Sequence, residues 1–185
     1  KEINKLIFIK KSSKNILKVK KKINKQLKKH NTHIDYEIKY NINLKKILDK
    51  KNNKTIAIIC LPDHLHFYYA NLCLRNNINC LVVKPLTFNL NEAKKLSELA
   101  KKKKLFTSVE FHKRFDKQNL ILRETFNNKK LGDPLYSIVE FSQRKIIPYK
   151  QFKNWSFKTN ILNYLGVHYI DLMRFISNAI PIRVM

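Results

Sequence analysis

The stretch TIAIICLPDHLHFYYANLCLRNNINCLVVKPLTFNLNEAKKLSELA, residues 55–100, decides the fold. It opens with β-branched apolar residues that do not alternate with polar ones, the pattern of a parallel strand covered on both faces. Asp63 follows as a cap, and a helix is predicted from His64 to about Asn76, with Leu65, Tyr69, Leu72 and Cys73 on one face. A second buried strand, NCLVV at 79–83, runs into Lys84-Pro85. Asn89, with Glu92 three residues on, starts another helix. That helix runs to the lysines at 101–104, cations suited to a helix C-terminus. LFTSVE at 105–110 is one more strand.

Upstream, KLIFI at 5–9 and IDYEIKY at 34–40 read as strands. Between them Ile16, Val19, Ile23 and Leu27 fall at helical spacing, with Ser12 or Ser13 as cap. NLKKILDKK from residue 43 gives a short helix. Strand and helix patterns thus alternate through residue 110. That order predicts βαβ units, a parallel sheet and helices on both of its faces. Beyond residue 116 the rhythm changes. A helix at about 118–128 leads to the turn LGDP, then to a long alternating strand, LYSIVEFSQR at 135–144. An irregular stretch follows, then the helix ILNYLGVHYIDLMRFIS at 161–177. The expected organisation is one domain over residues 1–112 and the start of a second, α/β domain over 113–185.

Composition narrows the function. The formal net charge is +26, but lysine is spread over nearly every polar face and arginine, the better base reader, is scarce beside it. Lys, Asn, Ile, Phe, Tyr and Leu share A/T-rich codons, so drift in an A/T-rich genome accounts for the charge better than a nucleic-acid site does. No specific nucleic-acid partner is expected, since diffuse charge supplies only the non-specific term. No apolar run approaches the ~20 residues of a membrane span, and KEINKLIFIK is too short in apolar residues for a signal peptide. Cys60, Cys73 and Cys80 show no metal spacing and read as buried free thiols in a reducing cytoplasm, with no metal site.

The chemistry concentrates at strand ends. Lys84 follows a central strand, and ligands of parallel sheets sit at the carboxyl ends of strands. Pro85 turns the chain out of the sheet there. A lysine in that place reaches a substrate hydroxyl or a cofactor ribose; the alternative is an exposed loop lysine. CLPDHLH at 60–66 ends the preceding strand, where Asp63 and His66 reach a nucleotide; the alternative is a capping Asp and a surface His. In NYLGVHYID, Tyr164 and His168 are four apart on one helical face, and Asp171 is three further on. A His beside a carboxylate suits a general base; the alternative is a structural His in an apolar helix. Gly166 within that helix points to close approach by a ligand or another backbone.

In this order and spacing, the 55–100 stretch, FHKRFD, LGDPLYSIVEF, YLGVHYIDLMRF and IPIRV resemble the glucose–fructose oxidoreductase / inositol dehydrogenase (Gfo/Idh/MocA) family over about residues 55–185. The resemblance implies a Rossmann-like domain for NADP or NAD, followed by an α+β substrate domain with an open sheet. It implies a sugar, nucleotide sugar or cyclitol whose hydroxyl or carbonyl is oxidised or reduced. The family's Glu-Lys-Pro signature falls on Val83-Lys84-Pro85, so Lys84 carries over and the glutamate does not. The family's Asp-x-x-x-His falls on Tyr164 and His168. His168 is then the proton acceptor, and Asp171 its orienting carboxylate in place of the missing Asp. Trp155 is a candidate for the sugar face, with core packing preferred. Leu61, Pro62, His66, Lys84 and Pro85 match the cofactor side. Lys10, Lys11 and Ser12, at the end of KLIFI, which the resemblance matches to the family's second strand, offer cations and a hydroxyl but no carboxylate, which favours NADP over NAD.

The departure lies at the front. Nothing matches the family's Gly-x-Gly-x-x-Gly loop, and the chain's only glycines are Gly132 and Gly166. The resemblance therefore implies a piece of the family, without the first strand and glycine loop and with the substrate sheet only begun. Alone it is expected neither to bind a dinucleotide nor to turn over a sugar. The competing expectation is an inactive remnant or interaction module of the same fold. A homo-oligomer through the substrate-domain sheet is also expected.

Overall fold

The computed structural model describes residues 3–10, 14–40, 44–49 and 54–183 of the 185-residue chain. The chain divides into two compact units, residues 1–51 and 52–185. The residues on either side of the expected 112/113 boundary therefore lie in one unit.

In the first unit, β1 (Lys5–Lys10) and β2 (Asp35–Tyr40) pair in parallel, Lys5 opposite Asp35 and Lys10 opposite Tyr40. The crossover is α1 (Ile16–Lys29). Ile16, Val19, Ile23 and Leu27 are its only part-buried residues, the stripe that the 3.6-residue period demands. Asn15 precedes α1 in the left-handed region, and no side chain caps the helix. The expected caps, Ser12 and Ser13, lie outside the described residues. The short α2 spans Leu44–Asp49. Glu37 on β2 pairs with Lys5 on β1 and, at 3.0 Å, with Lys39. Hydrogen bonds from these two ammonium groups pull the Glu37 carboxyl down to about 2.

The second unit holds two further βαβ turns. Strands β3 (Ile56–Ile59), β4 (Asn79–Val83) and β5 (Thr107–Glu110) form a parallel sheet in that order, with β4 central. α3 (His66–Arg75) links β3 to β4, and α4 (Leu90–Lys102) links β4 to β5. The core lies where these helices meet β4: Leu74, Ile78, Val82, Cys80 and Leu96 have no exposed surface. Each large apolar side chain removed from water there contributes about 1.5–3 kcal/mol. Asn89 caps α4 as its sequence predicts, its Oδ1 accepting from the Asn91 amide at 2.8 Å.

Several expectations are corrected. The strands form two parallel sheets rather than one, because no described ladder joins β1 or β2 to β3, β4 or β5. β3 is an edge strand of its sheet, and Ile56 and Ile58 stay 57% and 64% exposed instead of covered. Cys60 is exposed as well, while Cys73 and Cys80 are buried. The buried face of α3 carries His66, Ala70, Cys73 and Leu74, because the α-helix starts at His66 after a 3₁₀ turn over Asp63–Leu65. Asp63 makes no capping bond.

The largest departure follows α5 (Lys117–Asn127). Residues 135–144, expected as a long strand, form neither helix nor strand. Leu135 is 92% exposed and Tyr136, Ile138, Val139 and Phe141 are also exposed. A strand exists through its partner's hydrogen bonds, and no described strand pairs with this segment. Beyond it come a π-helical turn at Ile147–Gln151, a 3₁₀ turn at Ser156–Lys158 and a second π-helical turn at Leu162–Gly166. α6 (Val167–Ser177) continues directly from the last of these.

Candidate functional site

Lys84 leaves the carboxyl end of the central strand and is buried, only 8% exposed. The exposed-loop alternative is thereby removed. Its Nζ donates to the Tyr164 carbonyl and lies 4.4 Å from the centroid of the Tyr164 ring. Burial lowers the pKa of this ammonium, against which the carboxylates of Asp63 and Glu110 act. The Lys84–Pro85 peptide is cis.

His66 is fully buried rather than on the surface. Its Nδ1 lies 2.6 Å from the Pro85 carbonyl oxygen and its Nε2 2.8 Å from that of Leu61. Both ring nitrogens thus face backbone oxygens, and none is left for a nucleotide. The ring instead ties the turn after β3 to the turn after β4. Leu61 and Pro85 are thereby held together at the carboxyl ends of β3 and β4. Asp63 is likewise engaged: its Oδ2 accepts from Thr159 Oγ1 at 2.9 Å.

Tyr164 sits in the π-helical turn, so the expected α-helical stacking of Tyr164 on His168 is replaced by a wider step. Its ring packs against Phe152 and Trp155, at centroid distances of 5.7 and 6.1 Å, so Trp155 joins an aromatic cluster. Gly166 closes this turn. A Cβ there would come 2.7 Å from Leu162 Cδ1, so the close approach comes from a neighbouring side chain rather than another backbone.

His168 is the second residue of α6 and is 4% exposed. Its Nδ1 is buried with no hydrogen-bond partner among the described residues. Burial first, then the electrostatic influence of Lys84, His112 and Lys113, push its pKa down to about 4, while Asp171 opposes them. At neutral pH the imidazole is therefore uncharged and holds a lone pair. Asp171 does not orient it. Both carboxylate oxygens are taken by Arg114: Nε donates to Oδ2 at 2.7 Å and Nη2 donates to Oδ1. A guanidinium presents a fork that a carboxylate fits on both oxygens, a stronger claim than an imidazole makes.

Two groups at the end of β5 escaped the strand-end reasoning. Glu110 is the register partner of Val83, so a carboxylate stands on the neighbouring strand, opposite the position where the resemblance implied one. His112 follows it, Nδ1 3.4 Å from Glu110 Oε1, its ring centroid 4.6 Å from that of His168. The signal was present in VEFHKRF, since it occupies the carboxyl end of the next parallel strand. Elsewhere, Lys10 Nζ donates to the Lys14 carbonyl at 2.8 Å, while Lys11 and Ser12 lie outside the described residues.

The sequence profile of a family described as an oxidoreductase family with an NAD-binding Rossmann fold (Gfo/Idh/MocA) matches residues 8–111. The chain belongs to this family. An uncharacterized oxidoreductase, YhhX, of Escherichia coli is 30% identical over 134 residues, 72% of this chain and 38% of that protein. The UDP-N-acetylglucosamine 3-dehydrogenase of Acidithiobacillus ferrooxidans is 27% identical over 126 residues, 68% of this chain and 37% of that protein. The solved WlbA (WbpB) dehydrogenase of Thermus thermophilus, in complex with NAD and UDP-GlcNAcA, superposes with a TM-score of 0.68 at 15% identity. That match covers 94% of this chain and 63% of the other. The chain spans between a third and two fifths of the length of the curated relatives it matches.

Within this Gfo/Idh/MocA chain, Lys84 brings a buried ammonium and His168 a buried Nδ1 without a hydrogen-bond partner among the described residues. Both glycines, Gly132 and Gly166, come after β5, so neither cradles a pyrophosphate at a strand end. No described group of three His, Cys, Asp or Glu residues could hold a metal ion, and no described helix is long and apolar enough to cross a membrane.

Proposed function

We propose that this chain carries the substrate-side chemistry of an NAD(P)-dependent oxidoreductase acting on a hydroxyl or carbonyl of a sugar, nucleotide sugar or cyclitol. The observation that carries the reading is the junction of Lys84 and the His168 helix. A buried cation donates to the carbonyl of Tyr164, four residues before a buried, uncharged imidazole with a free nitrogen. In alcohol oxidation His168 takes the hydroxyl proton, and Lys84 holds the oxygen as negative charge develops on it. A bound nicotinamide dinucleotide supplies the hydride acceptor. Leu61, Pro62 and Pro85, fixed by His66, present backbone to that group. The nucleotide-sugar choice draws support from the name of the Acidithiobacillus relative and the ligand of the Thermus structure.

The same reading assigns residues 1–112 to the dinucleotide domain and 113–185 to the substrate domain. It favours NADP through Lys10, Lys11 and Ser12, places the protein in the cytoplasm, and has the exposed residues after α5 serve a homo-oligomer. The test is turnover of NADP and NAD with UDP-sugars, hexoses and inositols by the full-length protein that carries these residues. Lys84→Met is expected to lower kcat/KM by about 10²–10⁴-fold, the usual worth of a positioned catalytic group. Activity within a few-fold of the unsubstituted protein would refute the assignment.

A further inference from the structure

A buried base has to return its proton to water in every turnover, and His168 has almost no surface of its own. The groups that face it are Lys84 after β4, His112 and Lys113 after β5, and Asp171 on its own helix. Three of these cannot relay a proton readily. Lys84 donates to the Tyr164 carbonyl, Lys113 Nζ lies over the Tyr169 ring at 5.2 Å, and Asp171 is gripped by Arg114. His112 differs from them. Its ring meets that of His168 edge to face, and its side chain is 60% exposed. Glu110 Oε1 faces its Nδ1 at 3.4 Å, which favours the tautomer protonated there and leaves the lone pair on Nε2.

We propose that His112, oriented by Glu110, is the proton exit of His168. The proposal rests on the reading of His168 as the base. The substrate O–H bond breaks as an N–H bond forms on His168. The carbon's hydride, with its electron pair, is accounted for by the nicotinamide. The proton then moves from His168 to the Nε2 lone pair of His112, directly on rotation of that exposed ring or across one water. His112 releases a proton to solvent, so each alcohol oxidised yields one proton in bulk water. In the reductive direction the path runs inward. His112 is a positioning and relay residue and touches neither substrate nor cofactor.

The test needs no substrate. The 185-residue chain, labelled with ¹⁵N in its histidine rings, is titrated across the His168 transition. The rate of exchange between protonated and neutral His168 is read from line shapes. His112→Phe keeps a ring against His168 but has no lone pair; His112→Asn is the second variant, should the first disturb packing. Both are expected to slow exchange by about tenfold or more, at the low end of what a positioned acid or base supplies, with free imidazole restoring it. An unchanged rate in both variants overturns the proposal. In the full-length protein, His112→Phe is expected to lower kcat with KM unchanged and to respond to imidazole buffer. If Lys84→Met and His168→Gln leave turnover intact, the base assignment itself fails. If those two abolish turnover while exchange in the His112 variants is normal, only the exit route fails.

Discussion

Replacing His168 by Gln should remove a specific pH dependence of stability. Folded His168 titrates at about 4 against an ordinary value of 6.5, with burial the largest cause. Between those two values the unfolded chain binds a proton at this position that the folded chain does not. Stability therefore rises with pH through this window, by up to about 1.4 kcal/mol per pH unit. The whole difference of about 2.5 in pKa corresponds to about 3 kcal/mol. That stability is fully present above about pH 6.5 and is lost as the pH falls to about 4, below which the curve flattens again. Trp155, the only tryptophan, lies in the same aromatic cluster as Tyr164 and reports unfolding by fluorescence. Urea unfolding at a series of pH values should give a steep curve for the unsubstituted chain and a shallower one for His168→Gln. Gln cannot titrate, and other groups contribute similarly to both. Parallel curves across the window would show that His168 is not held neutral by burial, and the argument for an uncharged base at neutral pH would fall with it.

Asp171→Asn should destabilise the chain. Removing one partner of a buried pair costs about 3–5 kcal/mol, but Arg114 is 39% exposed and water takes up part of the loss, leaving about 1–2 kcal/mol; unfolding midpoints in urea measure it, and no shift would mean the pair is idle. A thiol reagent should modify Cys60 alone in the native chain and all three cysteines after unfolding, since Cys60 is exposed while Cys73 and Cys80 are buried; burial raises all three thiols, Cys73 to about 12. Rapid native labelling of Cys73, read by mass spectrometry, would contradict the described core.

Short-range physics made much of this protein legible in the chain itself. The stripe of Ile16, Val19, Ile23 and Leu27 becomes the covered side of α1 because a helix repeats every 3.6 residues. NCLVV becomes β4 as expected, and Asn89 caps α4, because both depend on backbone sterics and neighbours a few residues away. Lys84 could be placed at a strand's carboxyl end for the same reason. The family's ordered motifs then marked His168. Partners distant in sequence were a different matter. Nothing local says that Arg114 will claim Asp171 across 57 residues, or that Thr159 will bind Asp63 across 96. His66 looked like a surface residue because the carbonyl oxygens of Leu61 and Pro85 that face its two ring nitrogens meet only once β3 and β4 lie side by side. Residues 135–144 alternate as a strand does, yet alternation is only half of a strand, and the ladder of a partner is the other half. Propensity and periodicity are properties of a segment. Pairing, burial and proton affinity belong to whatever the fold packs around it, and only the tertiary structure decided them.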